Sequence, residues 1–178
     1  MKTEMLGEVC FQRLKVEDAA GLYDFYFNGL SEQSRIFWPP YPLFSPPVQS
    51  ADELSVRIKD WQKEDDWTVL KLVKEGQIIG LGLLKRFKTE RPTSGLALRE
   101  EYQGKGLGSI IQTVINEQAR MLKLKELYAT LAPENRASLE MHKKCGFKET
   151  GKMMPHYIYS DGVKKIDRQD IELVARFG

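Results

Sequence analysis

The chain predicts a single mixed α/β domain, with a sheet of about seven strands and about four helices. Three observations carry that expectation. Short β-rich runs recur along the chain, apolar stripes at helical spacing separate several of them, and Leu96–Ile111 reads as a strand that enters a glycine-rich turn and leaves as a helix. At 178 residues the chain is most simply one domain, 1–178, with a substantial core. Hydrophobic residues make up 42% and charged residues 29%, which places it with globular rather than disordered chains. The net charge of +2 gives no bulk attraction for nucleic acid, so no nucleic-acid partner is expected. Cys10 and Cys145 are too few for a disulfide scaffold and lack metal-ligand spacing, so no metal is expected either. No apolar run approaches the roughly 18 residues that cross a bilayer. The opening MKTEMLGEVC has no hydrophobic signal segment behind its lysine. A cytoplasmic location without a membrane partner is the expectation, as a monomer or a homodimer.

Taken in order, Val9–Leu14 alternates as a first strand, and Lys15–Asp18 leads into a helix carrying Ala19, Leu22, Tyr23, Tyr26 and Phe27 at helical spacing, ended by Asn28-Gly29. An aromatic and proline-rich loop follows at 36–49. Its Phe37–Phe44 core, with Pro46 and Pro47 behind it, suits neither a long helix nor a central strand. Two readings stand for it: a rigid connection packed on the core, or a wall of the substrate site. Ser50 or Asp52 caps a helix to about Lys63, with Leu54, Ile58 and Trp61 on one side. Trp67–Val73 and Gln77–Phe87 form a hairpin about Glu75-Gly76, and Gly80 and Gly82 share one face of it. They mark a bulge, a close approach to the backbone, or simple packing under a helix. After the polar turn Lys88–Pro92, Thr93–Arg99 is the strand that enters the glycine turn.

Beyond that turn, Leu107, Ile110, Ile111, Val114, Ile115, Met121 and Leu122 form an apolar stripe over about four turns. Leu127–Leu131 reads as a buried strand parallel to the earlier one through this crossover. Ser138–Cys145 is a short helix stopped by Gly146. Phe147–Lys152 begins a strand, Tyr157–Tyr159 extends that region to an Asp161-Gly162 turn, and Ile171–Phe177 closes the fold.

The turn itself alternates Gly104, Lys105, Gly106, Leu107 and Gly108 before an apolar-periodic run. Such a backbone can wrap a phosphate and aim N–H groups at it. It is not the ATPase phosphate loop, which needs four residues between its first glycine and Gly-Lys-Ser/Thr. The dinucleotide fingerprint would place its third glycine at Ser109, follow the first strand, and end the next strand with an acid. Here about four strands come first, and Glu126 precedes its strand.

Gln103-Gly104-Lys105-Gly106-Leu107-Gly108, after a strand and opening a helix, resembles the acetyl-coenzyme A loop of the GCN5-related N-acetyltransferases (GNAT family), (Gln/Arg)-x-x-Gly-x-(Gly/Ala). Asn135–Phe147, with Ser138, His142, Lys144 and Gly146-Phe147, resembles the same family's asparagine, short helix and Gly-Phe segment. One helix and one strand separate the two segments, as in the family, and the resemblance covers nearly the whole chain.

The resemblance implies the acyl-CoA N-acyltransferase fold, a central sheet splayed at the turn, and transfer of an acetyl group from acetyl-CoA to a primary amine of an unidentified acceptor. Attack is direct, without an acyl-enzyme. It implies a coenzyme site built from Leu96, Ala97 and Leu98 toward the pantetheine arm and Gln103, Gly104, Lys105, Gly106, Leu107, Gly108 and Ser109 toward the diphosphate. Asn135 hydrogen-bonds the arm or caps the short helix, or both, Ser138 lies beside the arm, and Lys144 reaches toward a phosphate or is one of many solvated lysines. A backbone N–H near Leu98 polarises the thioester carbonyl. His142 stands where many members carry a tyrosine that donates to the coenzyme sulfur, a role the imidazole fills in its charged form, or it is a partly buried histidine that orients the cofactor. Tyr157 or Tyr159 is the substitute. Glu101 or Glu100 is the carboxylate for the amine proton, acting through water, or Glu101 is a surface charge and the reaction relies on a neutral amine. His156, Tyr26, Trp38 and Tyr41 line an acceptor pocket, or pack the core. Cys145 reads as a small core residue rather than a nucleophile. The alternative is a protein of the same fold that binds acetyl-CoA without turnover.

Overall fold

The computed structural model describes residues 9–38, 43–160 and 163–178. One sheet holds β1 (Val9–Arg13), β2 (Trp67–Lys74), β3 (Gln77–Lys85), β4 (Thr93–Leu98), β5 (Glu126–Leu131), β6 (Lys148–Ser160) and β7 (Val163–Arg176), in the order β1-β2-β3-β4-β5-β7-β6. Around it lie α1 (Ala19–Phe27), α2 (Glu32–Phe37), α3 (Ala51–Trp61), α4 (Leu107–Met121) and α5 (Arg136–Lys144). The seven strands agree with the expected mixed α/β sheet. The helix beyond the expected four is α2. Six residues are too few to show an apolar period, but Ser31 starts the helix by accepting from the Ser34 N–H. It takes in Ile36 and Phe37, the first residues of the expected loop. Tyr41 and the Asp161-Gly162 turn lie outside the described residues.

Two apolar layers cover the two faces of the sheet. On one, Leu22, Phe25 and Tyr26 of α1 and Leu54, Ile58 and Trp61 of α3 pack with Val69, Leu81 and Leu83. On the other, Leu107, Ile111, Ile115 and Ala119 of α4 pack with Leu139, Phe147, Leu127 and Leu173. The α4 contacts repeat every fourth residue and make a narrower stripe than expected. Ile110, Met121 and Leu122 lie off that line and are exposed. Gly80 and Gly82 prove to be packing glycines beneath this helix: a Cβ on Gly82 would meet Ile111 Cγ2 at 2.7 Å, and one on Gly80 would meet Ile111 Cδ1 at 2.9 Å. Their Leu72/Val73 neighbours also shift register, so a bulge accompanies the packing.

β1 to β4 form an antiparallel meander, and β5, β7 and β6 a second antiparallel group. The two groups meet through the parallel pair β4–β5, whose register contains the single rung Thr93↔Tyr128. Beyond it the strands part. β6 is one strand where two extended pieces were expected, with register shifts at Glu149/Met153 and His156/Tyr157 that bend it without ending it.

Candidate active site

The site begins where β4 ends. Helices α2, α3 and α5 each start on a side chain that accepts a first-turn N–H: Ser31, Ser50 and Asn135. α4 does not. Its N-cap is Gly106, which has no side chain to offer, and its first turn holds no acidic residue. The helix therefore presents its first N–H groups and the positive end of its dipole outward. Gly104 (φ +70°) and Gly106 (φ +83°) hold left-handed backbone that turns the chain into this helix, and an added Cβ at either would meet nothing within 4 Å. Backbone conformation, rather than crowding, calls for glycine there. Gly108 lies within the helix, with Met141 Cγ 3.7 Å from the place of a Cβ. Lys105 and Lys74 bring their ammonium groups to 5.5 and 5.7 Å from the Tyr102 ring, so two cations flank the entrance to the turn. Lys74 ends β2, far away in the sequence, and no local signal announces it. These features fit a diphosphate.

Beside the turn, β4 offers an open edge. Arg99 N–H donates to the Ile79 carbonyl at 3.0 Å, toward β3. Backbone groups alternate along a strand, so the N–H of Leu98 and of Leu96 point the other way, into the gap left by β5. Ala97 faces β3. The Leu98 carbonyl accepts from Gln103 Nε2 at 3.1 Å, which ties the first residue of the expected motif to the strand. Gln103 also donates to Glu100 Oε1.

The Asn135–Phe147 segment closes the far side. Asn135 Oδ1 accepts from Ser138 N–H at 3.2 Å, so the cap reading holds. Cys145 lies with its thiol 3.8 Å from the Ser109 carbonyl and 3.9 Å from Met141 Sδ, and burial pushes its pKa up, away from a thiolate. Lys144 is exposed. His142 is enclosed, 2% exposed, with its ring edge-on to Phe147 at 5.1 Å. Its Nδ1 donates to the Ser138 carbonyl at 2.8 Å, so in the neutral ring Nε2 carries the lone pair, and Nε2 is buried without a partner. Burial lowers the His142 pKa, and the Ser138 bond only partly opposes this. The charged form that a sulfur donor requires is thus the form this position disfavours.

The two carboxylates at the turn differ. Glu100 accepts from Ser31 N–H, from Ser34 Oγ at 2.6 Å and from Gln103. Burial raises its pKa, but the bonds from Ser34, Ser31 and Gln103 together outweigh it and leave the group lowered. Glu101 is exposed and holds no hydrogen bond or ion pair among the described residues. Tyr157 stands 43% exposed on the β6–β7 hairpin with Lys164 Nζ 4.1 Å from its ring centre. Tyr26 stacks on Phe44 at 3.8 Å, 7% exposed, and belongs to the core.

The end of α2 spans the splay. Trp38 Nε1 sits 3.3 Å from where Gly95 of β4 would carry a Cβ, while the Ile36 carbonyl accepts from Arg168 Nη1 of β7 at 3.2 Å and Phe37 lies under that guanidinium at 5.8 Å. Leu43 and Phe44 pack into the core, with Trp38 against it, so the described part of the segment follows the first of its two expected readings, while Phe37 and Trp38 also border the gap. An open cavity of about 960 Å³ lies elsewhere, around Arg120, Lys123 and Arg176 at the other end of α4. Among the described residues no group of three His, Cys, Asp or Glu is placed to hold a metal. No described helix is long and apolar enough to cross a membrane.

Comparison with known proteins identifies the fold. The acetyltransferase (GNAT) domain family model matches residues 8–148. Curated proteins gave no match. Among solved structures, ribosomal-protein-S5-alanine acetyltransferase from Vibrio fischeri superposes with TM-score 0.73 at 20% identity, covering 94% of this chain and 92% of that one. Spermidine N-acetyltransferase from Vibrio cholerae, in complex with CoA and spermine, gives 0.71 at 20% identity, covering 94% and 95%. A putative acetyltransferase from Salmonella typhimurium with its cofactor acetyl-CoA gives 0.68 at 16% identity, covering 96% and 94%. With the family model spanning both the glycine turn and the Asn135–Phe147 segment, the chain belongs to the GNAT family of acetyltransferases.

Proposed function

We propose that the protein transfers an acetyl group from acetyl-CoA to a primary amine by direct attack within a ternary complex. The observation that carries this is the uncapped, acid-free start of α4 opening beside the unpaired edge of β4. The backbone of Gly104–Ser109 holds the diphosphate, with Lys105 as a neighbouring charge. Leu96–Leu98 line the pantetheine arm, and the Leu98 N–H meets the thioester carbonyl. Asn135 and Ser138 border the arm, and Lys144 reaches toward a phosphate. Acetyl-CoA supplies the activated acyl group; these residues bind it and orient it. Of the two carboxylates at the turn, Glu101 is the one without a hydrogen-bond partner among the described residues. For the sulfur proton, Tyr157 is favoured over His142, whose ring is enclosed and neutral. The names of the fold relatives include alanine and spermidine, both amine bearers, which supports an amine acceptor without choosing one.

Free thiol measured with acetyl-CoA and a panel of amines (a peptide N-terminus, lysine, polyamines, amino sugars) tests the proposal. Turnover of at least one amine is expected. Saturable coenzyme binding without turnover of any amine would favour the second reading, a non-catalytic binder, which the enclosed His142 supports. A separate check uses Ser109→Asp. An acid in the first turn suits the helix dipole by about 0.3–1 kcal/mol. It should nevertheless weaken coenzyme binding about tenfold, roughly 1.4 kcal/mol, in a titration, with an unchanged or raised melting temperature. Unchanged affinity would move the diphosphate elsewhere.

A further inference from the structure

The β6–β7 hairpin carries a titratable group that the site above does not use. His156 pairs with Arg168, and Tyr157 pairs with Ile166, so Asp167 is an extra residue on β7. In an unbroken ladder Asp167 would face away from Arg168. The bulge turns it instead toward His156, with Oδ2 3.6 Å from Nδ1. Nδ1 is enclosed without a hydrogen bond. Nε2 is not enclosed and has no partner among the described residues. The ring thus has a carboxylate on its buried side and an uncommitted nitrogen on the other.

Strand register gives the height of this group. Thr93 of β4 lies level with Tyr128 of β5. Three residues on, Leu131 pairs with Ile171 of β7, and three further along β7 comes Arg168, opposite His156. The same number of rungs from Thr93 along β4 ends at Arg99, next to the Leu98 N–H. His156 therefore stands across the splay at the level of the thioester carbonyl in the proposed function. It shares a sheet face with Arg168, beneath the end of α2, on the side where Trp38 covers Gly95. α4 and its turn lie on the other face, so coenzyme and His156 approach the gap from opposite sides.

We propose that His156 is the general base for the acceptor amine, with Asp167, 3.6 Å from Nδ1, as the positioning residue whose negative charge favours the proton on that nitrogen. This rests on the acetyl-transfer reading. The acceptor's ammonium gives one proton to Nε2, which passes it to water. The freed nitrogen forms the C–N bond to the acetyl carbonyl carbon as the C–S bond breaks, the departing sulfur takes a proton from the Tyr157 hydroxyl, and the second amine proton restores that hydroxyl. The products are the amide, free thiol and one released proton. Among the described residues, the charged groups facing the ring are Asp167, Arg168 and Asp170, all from β7. On α2, Arg35 points away, donating to the Phe27 and Leu30 carbonyls. Burial, with Arg168, lowers the His156 pKa against the opposing pull of Asp170 and Asp167, which keeps the ring neutral and basic near pH 7.

The test compares wild type with His156→Gln, Asp167→Asn and Glu101→Gln, measuring acetyl-CoA affinity and kcat/KM against pH with the best amine found. His156→Gln should bind acetyl-CoA as wild type does and lose on the order of a hundredfold in kcat/KM at pH 7. The deficit should close as pH approaches the acceptor's own pKa, and should shrink for an acceptor amine of low pKa. Asp167→Asn should show a smaller loss of the same form. His156→Gln with a wild-type pH profile, or a loss independent of pH and of acceptor pKa, would overturn the proposal. So would a larger pH-dependent loss in Glu101→Gln, which would hand the role to Glu101. Failure of the underlying reading looks different: wild type binds acetyl-CoA and acetylates nothing.

Discussion

At the residue scale, the two histidines show how environment divides one side-chain type. In the sequence, His142 occupies the family's tyrosine position, and His156 is one of several residues placed to line an acceptor pocket. The fold encloses the first and leaves Nε2 of the second open. Neither outcome can be read from neighbours in the chain. His142 is buried by Phe147, whose place follows from the turn at Gly146. Asp167 reaches His156 through a bulge, which has no sequence signature here. His142 also makes stability depend on pH. Its folded pKa lies below the unfolded value of about 6.5, so the unfolded chain binds the proton first. Its stabilising contribution is full above pH 6.5 and declines as pH falls toward the folded value. Urea titrations at pH 7.5 and 5.5 should show lower stability at the acidic pH, and His142→Leu should reduce that difference. An unchanged pH dependence in the variant would mean that other groups set it.

At the element scale, strands and long helices were legible because periods of 2 and about 3.6 survive in short windows. The caps Ser50 and Asn135 and the glycine turn were legible for the same local reason. The short α2 was not, nor was the exposed side of α4, where the expected stripe included Ile110, Met121 and Leu122. Which rows of a helix are covered depends on the sheet beneath, and here the surface is set by glycines. Gly82 lets Ile111 and Ile115 settle onto β3. Gly82→Val should cost about 1–3 kcal/mol by chemical denaturation, since α4 must lift from the sheet. A cost near zero would mean that the helix moves freely there. That same lift would shift the start of α4, so the variant should also weaken coenzyme binding.

At the scale of the whole molecule, the family was legible from two motifs and the order of elements between them, whereas the acceptor side was not. The acceptor wall we propose joins residues from the end of α2, β4, β6 and β7 that only the folded sheet brings together: Trp38, Gly95, His156 and Arg168. The join between the two strand groups is sparse, a single β4–β5 rung with α4 crossing between them. A bound pantetheine arm would occupy the place of the missing ladder. Binding should then stabilise the fold by about 2.7 kcal/mol at a hundredfold excess over Kd, read as a raised melting temperature. Amide exchange at Leu96 and Leu98 should slow on binding, while that at Ala97, already paired to β3, should change least.

The single rung has a mechanical consequence as well. A ladder of many rungs transmits force from strand to strand, but one rung acts as a hinge. The meander β1–β4 and the group β5–β7–β6 are therefore held together mainly by the apolar layer under α4, to which both contribute, rather than by a shared ladder. Pulled apart across β4 and β5, the molecule should yield at this seam before either group loses its own ladder, and acetyl-CoA should work as a removable pin through the hinge.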